Sequence, residues 1–335
     1  MQRETVSIPR LTLSRGDPLV PCAYAEGLKD RWNRRIQSCG AWVPYAPQHL
    51  CPNCGHRLVK SHAPAPAVGA RVIDSNVAIV DEGTGKVVAV HMVCATDLAT
   101  DLASSLSQVK WDDQVFANVT TTSRLNGMAV THRTFGYQPP VPMRRRYGCS
   151  RSQFNTEYPR AMDQIAQFCR VAEHVFRTNA SDVHDITARK VRDAIAPAWL
   201  IAGTPWSSGI INKTVSLPYH KDQSNVTSSW SAMLVCRRQV AGGYLHLADY
   251  DTYLSVPHGS ITIFDGQSIV HGVTPMTMTH PAAFRYSLVT YAKVGMRKCC
   301  ADPTQEAQRA AVEATEAEDK RATGWQPSRK PRKYA

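Results

Sequence analysis

Three textures of hydrophobic and polar residues follow one another along the chain. Between residues 71 and 141, short apolar runs such as NVAIV and KVVAVHMV surround DEGTGK, the pattern of a hairpin with a Gly-rich turn. YPRAMDQIAQFCRVAEHVF then sets Met162, Ile165, Cys169, Ala172 and Phe176 at alternating three- and four-residue spacing, which predicts the core-facing stripe of an amphipathic helix. A second helix is predicted over 182–195, stopped before Pro197. Beyond Pro205 the runs SSWSAMLVC, GGYLHLA, TYLSV, GSITIF and RYSLVTYAKV come in close succession between Gly, Pro, Asn and Asp. Short strands at that spacing predict a β-sandwich or jelly roll. An Ala/Glu-rich helix and a basic tail, RKPRK, close the chain.

Composition sharpens this outline. With 335 residues and 43% apolar content the chain can fill a sizeable core. No window approaches 18 uninterrupted apolar residues and the first residues lack the apolar run of a secretory signal, so a cytoplasmic or DNA-associated protein, neither secreted nor membrane-bound, is expected. The ten cysteines are accordingly expected as reduced thiols and metal ligands rather than disulfides. A net charge of +12 favours a polyanionic partner such as nucleic acid. The expected class is α+β: a double-stranded β-helix (jelly-roll) core with flanking helices and a small N-terminal zinc-binding module. Residues 1–60 form a zinc-knuckle module, 61–70 a Pro/Ala linker, 71–300 the jelly roll with helical support, and 301–335 a helical segment and basic tail.

The candidate chemistry centres on SLPYHKDQSNV. In a strand, residues two apart share a face, so His220 and Asp222 can address one ion while Lys221 points away. Two imidazoles and one carboxylate suffice for non-haem Fe(II), leaving positions open for a bidentate cosubstrate and oxygen. His271, in GSITIFDGQSIVHGVTP, is the favoured second imidazole; His258 and His280 are weaker rivals. Arg285, in FRYSLVTY, can pair bidentately with the distal carboxylate of 2-oxoglutarate, and Ser287, two residues on, can donate to the same group.

These motifs resemble the TET and JBP family of nucleic-acid base oxygenases, including its compact bacteriophage members. HKDQSN is similar to the family's His-Arg-Asp-x-x-Asn, HGSITIFDGQSIVHGVTP to its Gly-Ser strand leading to His-x-x-Thr-Pro, and RYSLVTY to its Arg-x-Ser-Leu-Val-x-Tyr. The resemblance implies His220, Asp222 and His271 as iron ligands and Arg285 and Ser287 as the 2-oxoglutarate cradle. It also implies that Asn225 hydrogen-bonds a flipped pyrimidine and that Tyr291 stacks on it. Where animal members carry a His two residues after the stacking aromatic, this chain has Lys293, a donor for a base carbonyl or a phosphate. The implied reaction is hydroxylation of the 5-methyl group of 5-methylcytosine in DNA, with thymine as the alternative, since Asn225 can serve either ring by flipping its amide.

CPNCGHRL is a zinc-knuckle signal: Cys51 and Cys54 can place two thiolates on one structural, tetrahedral Zn(II). Cys39 and then Cys22 are the preferred partners, with His49 and His56 as substitutes. The run around Arg144 and Arg151 and the SRKPRK tail are candidate phosphate contacts. A non-catalytic, zinc-containing DNA-binding module is the reading from a different class.

Overall fold

The computed structural model of the protein describes residues 8–22, 39–45, 51, 53–54, 62–111 and 131–322. Strands β1 (Arg10–Leu13), β2 (Leu19–Pro21), β3 (Trp42–Pro44), β4 (Val72–Ile73), β5 (Val77–Asp81) and β6 (Val87–Val93) precede helix α1 (Thr96–Ser107) and β7 (Thr131–Gln138). After β8 (Ser150–Arg151) come α2 (Gln153–Glu157), α3 (Pro159–Asn179) and α4 (Ser181–Ala194). The strand-rich half then runs β9 (Ser208–Lys213), β10 (Ser231–Arg238), β11 (Val240–Gly242), β12 (Leu245–Leu247), β13 (Thr252–Leu254), β14 (Ser260–Phe264), β15 (His271–Val273), β16 (Met276–Met278) and β17 (Phe284–Tyr291). Helix α5 (Pro303–Ala322) follows.

Nine strands form one sheet in the order β1-β5-β6-β14-β10-β17-β9-β7-β8, and β15-β12-β13-β4 form a second. This is the expected jelly roll. The alternation of β10, SAMLVCRR, shows how two cores arise from one strand. Ala232, Leu234 and Cys236 join Ile165, Phe168, Cys169, Ala172 and Phe176 of α3 in the helix-side core, while Met233 and Val235 enter the core between the sheets with Leu245, Leu247, Leu254 and Val273. Fully burying a side chain such as Phe168 or Phe176 contributes roughly 1.5–3 kcal/mol. On β17 the same alternation sends Tyr286 and Leu288 to the helices. Arg285, Ser287 and Tyr291, at the alternate, odd positions, therefore take the other face, and register sets Arg237 opposite Arg285 and Val235 opposite Ser287.

Two features went unforeseen and one expectation is corrected. Helix α1 went unforeseen, although Ala99, Leu102, Ala103 and Leu106 form its buried stripe. The 61–70 segment does more than link: Ala63 is fully buried and His62 forms a β-bridge with Pro218. The cysteines are not all reduced, because Cys149 and Cys299 form a disulfide with Cα atoms 5.7 Å apart. A separation of 150 residues hid that pair; only the fold brings the end of the β7–β8 loop beside the turn after β17. The side chain of Arg144 and the closing basic tail lie outside the described residues.

Candidate active site and metal centres

His220 and His271 lie side by side because their backbones exchange hydrogen bonds. His220 N donates to the His271 carbonyl at 2.9 Å and His271 N to the His220 carbonyl at 3.0 Å, which sets the ring centroids 4.2 Å apart. Residues around His220 do not form a regular strand, so the shared direction of His220 and Asp222 has another source than the pleat. The bridge to His271 orients one, and the bond from Asp222 N to the Gly266 carbonyl, 2.7 Å, orients the other. A carbonyl only accepts, so the contacts of His220 Nδ1 with Pro218 O (2.8 Å) and of His271 Nδ1 with Ile269 O (3.0 Å) place the proton on Nδ1 in both rings. Each ring thereby offers Nε2 as a ligand. Asp222 Oδ1 lies 3.8 Å from His220 Nε2, and one ligand atom from each of the three residues falls within 4.8 Å of the others.

Asp222 Oδ2 faces the other way and accepts from Ser231 Oγ at 3.0 Å. Ser231 in turn accepts from Asn225 Nδ2 at 3.0 Å. Asn225 is therefore not free to turn its amide, contrary to the sequence reading: its orientation is set by a chain that ends on the Asp222 carboxylate. Any side chain at Gly266 would collide with that carboxylate, which explains the glycine.

Arg285 is wholly buried, yet among the described residues its Nε and Nη1 have no hydrogen-bond partner, and its Nη2 donates to the Gly243 carbonyl at 3.4 Å. Burial, reinforced by the charge of Arg237, lowers its pKa to about 9. A buried cation with two unmet donors fits a carboxylate group of a cosubstrate. Gly243 lines the approach, with φ of +71°, and a Cβ there would stand 3.2 Å from Arg285 Nε. Ser287 is buried beside it, opposite Asn212 of β9.

Tyr291 is half-buried, and its hydroxyl pKa is pushed up to about 12 by burial and by the negative charge of Asp222. Lys293 pairs through its backbone with Asn225, and burial and the charge of Arg146 lower its ammonium pKa. The loop bearing Asn225 is pinned to this segment by bonds from Val226 N to Ala292 O (2.7 Å) and from Val294 N to Ser224 O (2.9 Å). The rivals His258 and His280 stand elsewhere. His258 contacts Thr100 and accepts from Arg237 N, while His280 Nδ1 accepts from Ala282 N. The sequence reading missed Ser231, Arg237 and Asn212, whose position on strands facing β17 was available only through register.

A second cluster joins Cys22, Cys39, Cys51 and Cys54. Cys22 and Cys54 sulfurs are 3.7 Å apart and those of Cys39 and Cys51 3.9 Å. Four thiolates bonded tetrahedrally to zinc at about 2.3 Å stand ~3.8 Å apart, so the set fits a closed structural site. The antiparallel pair β2–β3 brings Cys22 to the Cys39 side, with Cys22 N donating to Ala41 O at 2.7 Å. Val20 of β2 packs in one cluster with Ala63, Tyr219, Ala248 and Val270, so this hairpin abuts the residues next to His220 and His271. His49 and His56 lie outside the described residues.

Residues 142–294 match the family model Tet_JBP, the oxygenase domain of the 2OGFeDO superfamily. These residues, a little under half of the chain, are thus the part that matches an oxygenase domain of the TET/JBP type. Among curated proteins it is similar to the bifunctional helicase and thymine dioxygenase JBP2 of Trypanosoma brucei brucei, 22% identical over 156 residues. That match covers 46% of this chain and 14% of the relative, so the chain spans a small part of that protein. Among solved structures, NgTET1 in complex with 5mC DNA aligns with a TM-score of 0.51 and 16% identity, over 72% of this chain and 86% of that one. At that identity the likeness speaks for the fold alone. Among the described residues no helix is long and apolar enough to cross a membrane.

Proposed function

We propose that the protein hydroxylates the 5-methyl group of 5-methylcytosine in DNA, producing 5-hydroxymethylcytosine. The observation that carries the reading is the meeting of His220, Asp222 and His271, and the buried guanidinium of Arg285 on β17, with two unmet donors, supports it. His220 Nε2, His271 Nε2 and Asp222 Oδ1 would hold Fe(II), and Arg285 with Ser287 would hold 2-oxoglutarate. When bound, that pair supplies oxygen activation, with 2-oxoglutarate leaving as succinate and carbon dioxide.

The protein's own residues have three tasks. The Nδ1 bonds and the Ser231 bond keep the three ligand atoms aimed at one point, so little reorganisation accompanies metal binding. Arg285 neutralises the distal carboxylate and orients the cosubstrate. Asn225, Tyr291 and Lys293 would receive an extruded base, one by amide recognition, one by stacking and one by donating a hydrogen bond from its ammonium group. The net charge of +12 supports a DNA partner whose phosphates flank the flipped nucleotide. The four-cysteine cluster would hold a structural zinc ion.

The similarity to a protein named as a thymine dioxygenase favours a second reading, thymine in DNA. Incubation of the purified protein with Fe(II), 2-oxoglutarate and either 5-methylcytosine-bearing or unmethylated DNA, followed by nucleoside mass spectrometry, separates the two. Product from methylated DNA alone supports the proposal. Hydroxymethyluracil from both DNAs replaces cytosine by thymine, and failure to turn over 2-oxoglutarate with any DNA leaves the non-catalytic binding module.

A further inference from the structure

The geometry points to Ser231 as the positioning residue that makes the pocket read cytosine rather than thymine, by locking the Asn225 amide with its oxygen toward the base. The inference rests on the proposed oxidation of a pyrimidine methyl group and adds what selects the ring.

The donor count leaves one arrangement. An ionised carboxylate has no proton to give, so the 3.0 Å contact between Ser231 Oγ and Asp222 Oδ2 uses the only hydroxyl proton of Ser231. The 3.0 Å contact between Ser231 Oγ and Asn225 must then be donated by the amide, which identifies the atom turned to Ser231 as Nδ2. Asn225 Oδ1 is left on the opposite side as an acceptor. Ser231 is fully buried and Asn225 nearly so, so water is not at hand to relax this order. The backbone is held as well: Gln267 Nε2 donates to Asn225 O at 3.0 Å while Gln267 Oε1 accepts from Ser228 N at 2.9 Å.

The position of this acceptor decides what it reads. The amide is two hydrogen bonds from a carboxylate that would hold the metal, and the methyl group to be oxidised must point at that metal. The polar group nearest the C5 methyl on a pyrimidine is the substituent on C4. Cytosine presents an amino donor there and thymine a carbonyl acceptor. Oδ1 therefore gains a hydrogen bond from cytosine, whereas thymine sets two acceptors against each other with no proton between them, in a place where an unmet polar group is expensive. A pocket built to hydrogen-bond a group discriminates strongly against a ligand lacking it.

The test uses the full chain loaded with Mn(II) and N-oxalylglycine, inert stand-ins for the iron and cosubstrate. Binding is measured by fluorescence anisotropy on three oligonucleotides that differ at one mismatched position: 5-methylcytosine, thymine, or 5-methylpyrimidin-2-one, which lacks any C4 substituent. The wild-type protein is expected to favour 5-methylcytosine over the other two by ~10-fold or more. Ser231→Ala frees the amide to rotate, and its preference over thymine is expected to fall to about twofold. Asn225→Ala is expected to reach the same residual ratio. Retention of the full preference by Ser231→Ala, or a wild-type protein that binds 5-methylcytosine no better than the pyrimidinone, overturns the inference; the latter needs no variant to fold. Parallel turnover with Fe(II) and 2-oxoglutarate separates the two levels. Equal oxidation of 5-methylcytosine and thymine defeats the lock but leaves the oxygenase reading standing, whereas no oxidation of either defeats both.

Discussion

Arg237 and Arg285 stand directly opposite each other on the adjacent strands β10 and β17. Arg237 is bound to the backbone carbonyls of Val256, Val240 and Gly242, while Arg285 keeps two donors without partners among the described residues. Two guanidinium groups placed together away from water disfavour each other, and burial and this neighbour together lower the pKa of Arg285. An anion with two oxygens relieves both the repulsion and the unmet donors.

Replacement of Arg285 by Lys keeps the charge and removes the fork. The KM for 2-oxoglutarate is expected to rise by about a hundredfold, with a smaller loss of kcat at saturation. Succinate formation measured across a 2-oxoglutarate titration checks this. Unchanged KM would remove Arg285 from the cosubstrate site.

Gly266 carries no chemistry, yet its Cα faces the Asp222 carboxylate so closely that a methyl group cannot fit. Gly266→Ala is expected to displace Asp222 and weaken binding of Mn(II) by about 10–100-fold, the range for disturbing the support of a metal ligand. Titration calorimetry on the variant, with circular dichroism to confirm the fold, gives the answer.

The Cys22, Cys39, Cys51 and Cys54 cluster predicts one zinc per chain by elemental mass spectrometry, lost in Cys51→Ser. Because Val20 packs in one cluster with Tyr219 and Val270, neighbours of His220 and His271, zinc loss is expected to lower both the Tm and the affinity for Fe(II). A variant without zinc but with unaltered iron affinity would show that the two centres are independent.

Reduction of Cys149–Cys299 releases a cross-link over 150 residues and is expected to lower stability by about 2–4 kcal/mol. Glu306 accepts from both Cys149 N and Cys300 N, at 2.7 and 2.8 Å, so the turn keeps a second anchor when the sulfurs part. Urea unfolding with and without a dithiol reductant, repeated on Cys149→Ser, measures the difference; the reductant should not affect the variant.

His91 is fully buried, donates or accepts through Nδ1 with Thr262 Oγ1, and burial lowers its pKa to about 4. Its folded value thus lies below the ordinary 6.5, and the unfolded chain takes up the proton first. The stabilising effect of keeping this ring neutral is complete above pH 6.5, is lost as pH falls toward 4, and changes no further below that. Over that window the wild-type protein is expected to lose about 3 kcal/mol that His91→Gln does not lose. Denaturant unfolding of both proteins at pH 7 and pH 4.5 tests the sign.

The α3 stripe at Ile165, Cys169, Ala172 and Phe176, the closely spaced strands after Pro205 and the Cys-x-x-Cys knuckle were legible because each rests on local periodicity or spacing. The His-x-Asp, the distal His271 and Arg285 stand out along the chain as an ordered set, and the four cysteines that cluster in the fold as a preference among alternatives. Two things needed the folded chain. Strand register set Arg237 against Arg285 and put Ser231 on the strand face it shares with Met233 and Val235, and no spacing along the chain encodes which strand lies beside which. Hydrogen-bond direction, passed from Asp222 through Ser231 to Asn225, removed the freedom that an isolated amide has. The sequence by itself determined which chemical groups the protein possesses and their faces on each element. Tertiary structure alone decided which of those groups meet, because burial turns a weak local preference into a single permitted arrangement of donors and acceptors.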